Sequence, residues 1–172
     1  VVVRGVGVEI AARRIDRGLD LLSHHAELLQ SVGPEHQNSA VLVGYFAPWV
    51  DVGHPGRPLL KNLLEKFAGA SPETLTLLEY AHLRMAEGLL AMSEEEFAKA
   101  IHSFSTVLAL EQEISDKQTI AIANFWMGRC LRRQGRYHDA LGYVAQARAL
   151  ALARRYPHVA GWMEVGVAGI AR

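Results

Sequence analysis

The chain repeats itself. Displacing the sequence by forty residues brings Gly88 onto Gly128, Phe97 onto Tyr137, Ala100 onto Ala140 and Ile101 onto Leu141. Self-similarity at such a period constrains the fold more than the propensity of any single residue, because each unit is a supersecondary element that buries its apolar face only by stacking on a neighbour. The residue types suit paired helices. A glycine at position 88 or 128 lets the first helix of a pair approach its mate, Ala100 or Ala140 offers a matching flat spot on the second, and the aromatic at 97 or 137 fills space near the turn.

Helix punctuation follows the same spacing. Ser71-Pro72-Glu73 sets an N-cap hydroxyl, a first-turn proline and an acid ahead of an apolar-periodic run from Thr74 to Met92. Ser93 with Glu96 reads as a capping box opening a second helix that runs to about Ile114. Ser115 with Gln118 repeats the signature. The helix that follows passes through Ile120, Ala123, Phe125, Met127 and Leu131 and stops at Gly135. From Arg136 a fourth helix carries Tyr137, Ala140, Leu141, Val144, Ala147 and Leu150 and ends before Pro157. The first seventy residues are less regular: Val8 to Val32 reads as a helix ended by Gly33-Pro34, with Asn38 to about Val50 and Pro58 to Phe67 as two more. Neither alternating strands nor strand-helix-strand units are visible, so the expected class is all-α, and the whole chain 1–172 is expected to form a single helical-repeat domain. Its expected divisions are divergent helices over 1–70, repeats over 71–114 and 115–156, and the first helix of a further repeat over 157–172.

Composition narrows the function classes. With 172 residues, half of them apolar, the chain can bury a sizeable core. Eighteen Lys and Arg balance eighteen Asp and Glu, so no global field favours nucleic acid or an anionic membrane. The longest apolar stretch without charge, His36 to Val50, falls short of the roughly 20 residues that cross a bilayer. One cysteine, Cys130, cannot form an internal disulfide, which suits a reducing, cytoplasmic setting and a small buried side chain. The opening Val1-Val2-Val3-Arg4 shows no signal peptide, and the chain stops at Arg172 inside an apolar-periodic segment, so the natural protein is expected to continue there.

From Ser71 onward the chain resembles the tetratricopeptide repeat family. The family's glycine, alanine twelve residues on and large apolar residue four further match Gly128, Ala140 and Val144, and again Gly88, Ala100 and Phe104. Departures accompany the match. The aromatic four residues before the glycine is Asn124 or Arg84, the tyrosine three after it is Leu131 or Ala91, and the closing proline is Leu152 or Gln112. The period exceeds the family's usual length, as in the lengthened repeats of large bacterial regulators. The resemblance implies antiparallel helix pairs stacked as a superhelical solenoid, with a protein or peptide held on the concave face.

In that family the concave face is lined by the first helix of each pair. Counted from the glycines, it would carry His82, Met85, Leu89 and Met92 in one repeat and Ile122, Phe125, Arg129, Arg132 and Arg133 in the next, followed by Trp162 and Val165. Methionine and aromatic groups beside arginines would suit a peptide carrying carboxylates. Met85, Leu89 and Phe125 serve equally well as packing against neighbouring helices. The lysine and asparagine with which some family members clamp a terminal carboxylate are absent. A lone half-repeat after Pro157, with Ala168 at the glycine position, would leave an apolar face for another domain of the full-length protein or a second copy to cover.

Signs of chemistry are thin. The eight histidines show no HExxH, and adjacent His24 and His25 point about 100 degrees apart on a helix. Val3-Arg4-Gly5-Val6-Gly7 has two glycines of a nucleotide-binding loop, but Ile10 stands where the third belongs. No phosphate-loop lysine and no GxSxG occurs. The expectation is a non-catalytic binding module without metal or cofactor; a structural spacer or dimerisation segment is the alternative, and an enzyme on a helical scaffold a more distant one.

Overall fold

A computed structural model describes residues 5, 8–9, 14–25, 57–65, 67 and 71–155. Among them the chain is all-helical: α1 Ile15–His24, α2 Arg57–Glu65, α3 Leu77–Ser93, α4 Phe97–Ala109, α5 Lys117–Arg133 and α6 Tyr137–Ala153. The expected helix over Val8 to Val32 contains α1, and the one from Pro58 contains most of α2. The helix expected over Asn38 to Val50 and the half-repeat after Pro157 lie outside the described residues. The chain divides into two compact units, Val1–Ala86 and Glu87–Arg172, with the boundary inside α3.

In the first unit, Arg14 pairs with Glu9 ahead of α1, and Leu64, Phe67 and Leu75 are buried. The start of α3 differs from the sequence expectation. Ser71 heads a turn rather than the helix, its carbonyl accepting from the amides of Thr74 and Leu75. The N-cap is Thr76, whose hydroxyl accepts from the Glu79 amide at 3.3 Å while Glu79 Oε2 accepts from the Thr76 amide at 2.9 Å and its hydroxyl at 2.6 Å. Two orphan donors of the first turn are thereby satisfied reciprocally.

In the second unit, α3 and α4 are joined by a tight turn. Ser93 remains helical and donates its hydroxyl to the Leu90 carbonyl, so it caps nothing downstream. Glu95 takes φ 63°, its amide donating to Met92 O while the Glu96 amide donates back to Ala91 O. Forty residues later, Gly135 at φ 77° donates to Arg132 O, and the Arg136 amide reaches Leu131 O. Both are left-handed helix ends of the Schellman type. At the start of α5 the cap is Asp116 rather than Ser115: its carboxylate accepts from the Gln118 amide at 3.1 Å and the Thr119 hydroxyl at 2.7 Å. Lys117 Nζ donates to the carbonyls of Glu111 and Ile114 and closes the preceding turn.

The helices of this unit pack as adjacent pairs, α4 on α5 and α5 on α6. A Cβ at Gly88 would stand 2.6 Å from Phe104 Cε1, so α3 and α4 meet there with no room to spare. A Cβ at Gly128 would stand 2.5 Å from Val144 Cγ2 and 3.0 Å from Ala140 O, so α5 lies directly on the α6 backbone. Ala140, Val144, Ala147 and Ala151 form the buried stripe of α6 at helical spacing. Ala100, Phe104 and Val107 do the same for α4.

Candidate functional site

The residues expected on the binding face divide by burial. On α3, Leu89 and Met92 have no exposed surface and Met85 only 3%, while His82 is half-buried. On α5, Phe125 is 5% exposed, Ile122, Arg129 and Arg132 are half-buried and Arg133 is exposed. Trp162 and Val165 lie outside the described residues. In this arrangement Met85, Leu89, Met92 and Phe125 act as core. A ligand on α5 would meet Ile122 and the arginines.

The arginines are engaged in the fold. The Arg129 guanidinium lies 5.0 Å from the Trp126 ring centroid and 5.9 Å from that of Phe125, and those two rings meet edge to face at 5.3 Å. Proximity to the two rings fixes the orientation of the planar cation. Arg133 Nη1 donates to Met92 O at 3.3 Å and so serves a carbonyl at the end of α3. Arg132 and Arg133 both sit in the last turn of α5, where the negative end of the helix dipole favours cations whether or not a ligand is present. On α3 a second cation pair occurs, Arg84 lying 5.1 Å from the Tyr80 ring.

Counting inward positions from the glycines does not pick out Trp126 or Tyr80. The signal that finds them is local: an aromatic three or four residues before an arginine brings ring and guanidinium onto one face of a helix. Asn124, where the resemblance would put an aromatic, is buried and donates to Ile120 O at 3.0 Å, while its Oδ1 has no donor among the described residues.

Glu79 spends its carboxylate on the α3 cap. The Cys130 thiol is buried against Phe97 O at 3.9 Å, and burial pushes it up to about 11, opposed weakly by Arg133. A thiol so placed stays protonated near neutral pH and is a poor nucleophile. Among the described residues no group of three or more His, Cys, Asp or Glu could hold a metal ion, and no helix is long and apolar enough to cross a membrane. No protein-family model, curated protein or solved structure matches the chain.

Proposed function

We propose that the chain is a non-catalytic helical-repeat module of the tetratricopeptide type, built to hold a carboxylate-bearing protein or peptide against the first helices of its pairs, in a reducing, cytoplasmic setting. The observation that carries the proposal is the structural period. The helices α3 and α5 are each 17 residues long and begin forty residues apart, α4 and α6 begin forty apart, and Gly88 on Phe104 recurs as Gly128 on Val144. Repeated pairs of this kind present a pre-built surface, so a ligand need not order it. On α5 that surface combines half-buried Ile122 with Arg129, whose guanidinium is already oriented by Trp126.

Burial of Met85, Leu89, Met92 and Phe125 favours the second reading, a spacer whose apolar residues serve packing alone. Panning a random peptide display library against the purified protein separates the two. A binding module enriches peptides in which Asp or Glu flanks an apolar residue, and these lose affinity for an Ile122→Gln, Arg132→Ala variant whose circular dichroism melt is unchanged. A spacer enriches nothing, and peptides that bind both proteins equally would place the site elsewhere.

A further inference from the structure

The α6 helix is apolar on two sides. Ala140, Val144, Ala147 and Ala151 are buried, yet Leu141 and Leu152 remain 42% and 52% exposed. Between those two, Gly142, Ala145 and Ala149 are exposed as well, and a Cβ at Gly142 would meet nothing within 4 Å. Gly142, Ala145, Ala149 and Leu152 follow one another at intervals of three, four and three residues, the spacing of a seam on which a second helix packs. That row lies roughly 150° round the helix from the buried stripe, so a helix seated on the stripe leaves the row uncovered.

We propose that this row is a contact between two copies of the chain, α6 packing antiparallel on α6 about a twofold axis. Such a contact needs a surface that complements itself when read backwards. The row does so. With Gly142 set at the height of Leu152 of the second copy, Ala145 falls at the height of its Ala149, each pairing occurs twice, and both leucines are seated over a glycine with open space above it. Charge selects the same orientation. Antiparallel packing brings the end of α6 that exposes Asp139 to the end that exposes Arg154 and Arg155, whereas parallel packing would set like charges side by side. Arg148 comes near its own copy across the axis, which costs some repulsion. The row rises only about 15 Å along the helix. Its contact therefore falls short of the roughly 800 Å² per partner of a stable complex, and the dimer is weak, dissociating at about 10 to 100 μM. The inference needs no peptide and stands or falls apart from the proposed function.

Sedimentation velocity of the whole chain should show monomer passing to dimer between about 5 and about 500 μM. An Ala149→Lys variant with unchanged far-UV circular dichroism should raise the midpoint about tenfold or more, because the added ammonium falls in the middle of the contact. Orientation is read from cross-links. When a Gly142→Cys protein is mixed with a Leu152→Cys protein, the mixed disulfide should form about tenfold faster than either variant joins to itself, since only the mixed pair is held at one height. A monomer throughout, a dimer that Ala149→Lys leaves unchanged, or disulfides formed preferentially between identical variants would each overturn the proposal. Iodoacetamide labelling of Gly142→Cys at about 1 μM, where the chain is expected to be monomeric, tests whether the chain covers this face itself. Labelling close to the rate of the urea-unfolded protein is expected, and strong protection at that dilution would overturn the proposal in favour of cover from within the same chain.

Discussion

At the scale of the residue, three glycines in helices carry opposite consequences. Gly142 in α6 is exposed and a Cβ there meets nothing within 4 Å, so Gly142→Ala gains helix propensity at no steric cost and should raise stability by about 0.5 to 1 kcal/mol. At Gly128 the added methyl would run into backbone of α6 as well as Val144, and backbone cannot turn aside as a side chain can. Gly128→Ala should therefore lower stability by about 1 to 3 kcal/mol despite the same gain in propensity. Gly88 lies between them, because the atom it meets belongs to the Phe104 ring. Urea denaturation of the variants checks the sign, and a stabilising Gly128→Ala would deny the close approach of α5 to α6. This contact was legible in the sequence, since Gly128 and Ala140 were paired there from spacing alone. The burial of Leu89 and Met92 was not, because helical periodicity places a residue on a face but does not say whether another element covers it.

Cys130 adds a pH dependence with a definite sign. Its thiol, ordinarily near 9.0, is pushed up to about 11 by burial, so above pH 9 the unfolded chain loses this proton while the folded chain keeps it. The native state then binds more protons than the unfolded state, and stability falls as pH rises from about 9 to about 11. The measurement is a difference between two proteins, so that the contributions common to both cancel. The denaturation midpoint of the wild type should fall more steeply across that window than that of Cys130→Ala, and parallel curves would show that the thiol is solvated.

At the scale of the element, the repeat is kept in geometry while its chemistry changes. Thr76 and Asp116 occupy the same capping position forty residues apart, and three residues on, Glu79 and Thr119 supply the complementary partner, so hydroxyl and carboxylate exchange places. The exposed pair Glu96 with Lys99 recurs as Arg136 with Asp139, reversed in sign. The sequence marks the turns but offers Ser71, Ser93 and Ser115 as the caps. Serines are frequent caps, and Ser71 and Ser115 are told from the caps the helices use, Thr76 with Glu79 and Asp116 with Thr119, only by where the backbone turns. Asp116→Ala should cost about 1 kcal/mol, and Ser115→Ala close to nothing. The turn after α3 offers the converse. Glu95 holds a left-handed conformation for which its counterpart is Gly135, and a residue with a Cβ pays roughly 1 to 2 kcal/mol there. Glu95→Gly should thus raise the thermal midpoint, whereas Gly135→Ala should lower it; unchanged midpoints in both would mean that the turn does not hold these angles in solution.

At the scale of the whole molecule, a net charge of zero conceals segregation. Glu94, Glu95, Glu96 and Glu113 are exposed around the α3 and α4 pair, and Arg133, Arg136, Arg148, Arg154 and Arg155 are exposed around the α5 and α6 pair. The proposed carboxylate-bearing partner would be attracted to the second pair and repelled by the first, which would orient its approach without any global field. Such steering depends on ionic strength, because the Debye length shrinks from about 10 Å at 0.1 M salt to about 3 Å at 1 M. For peptides selected on this protein, raising sodium chloride across that range should weaken binding about tenfold, mostly through a slower association rate, with dissociation little altered. The contrast lies with the apolar contact: Ile122→Gln should speed dissociation and leave the salt dependence as it was. Affinity indifferent to salt would mean that Arg132 and Arg133 do no more than settle the carboxyl end of α5 and support the turn after α3, and that recognition, if it occurs on this face, is apolar.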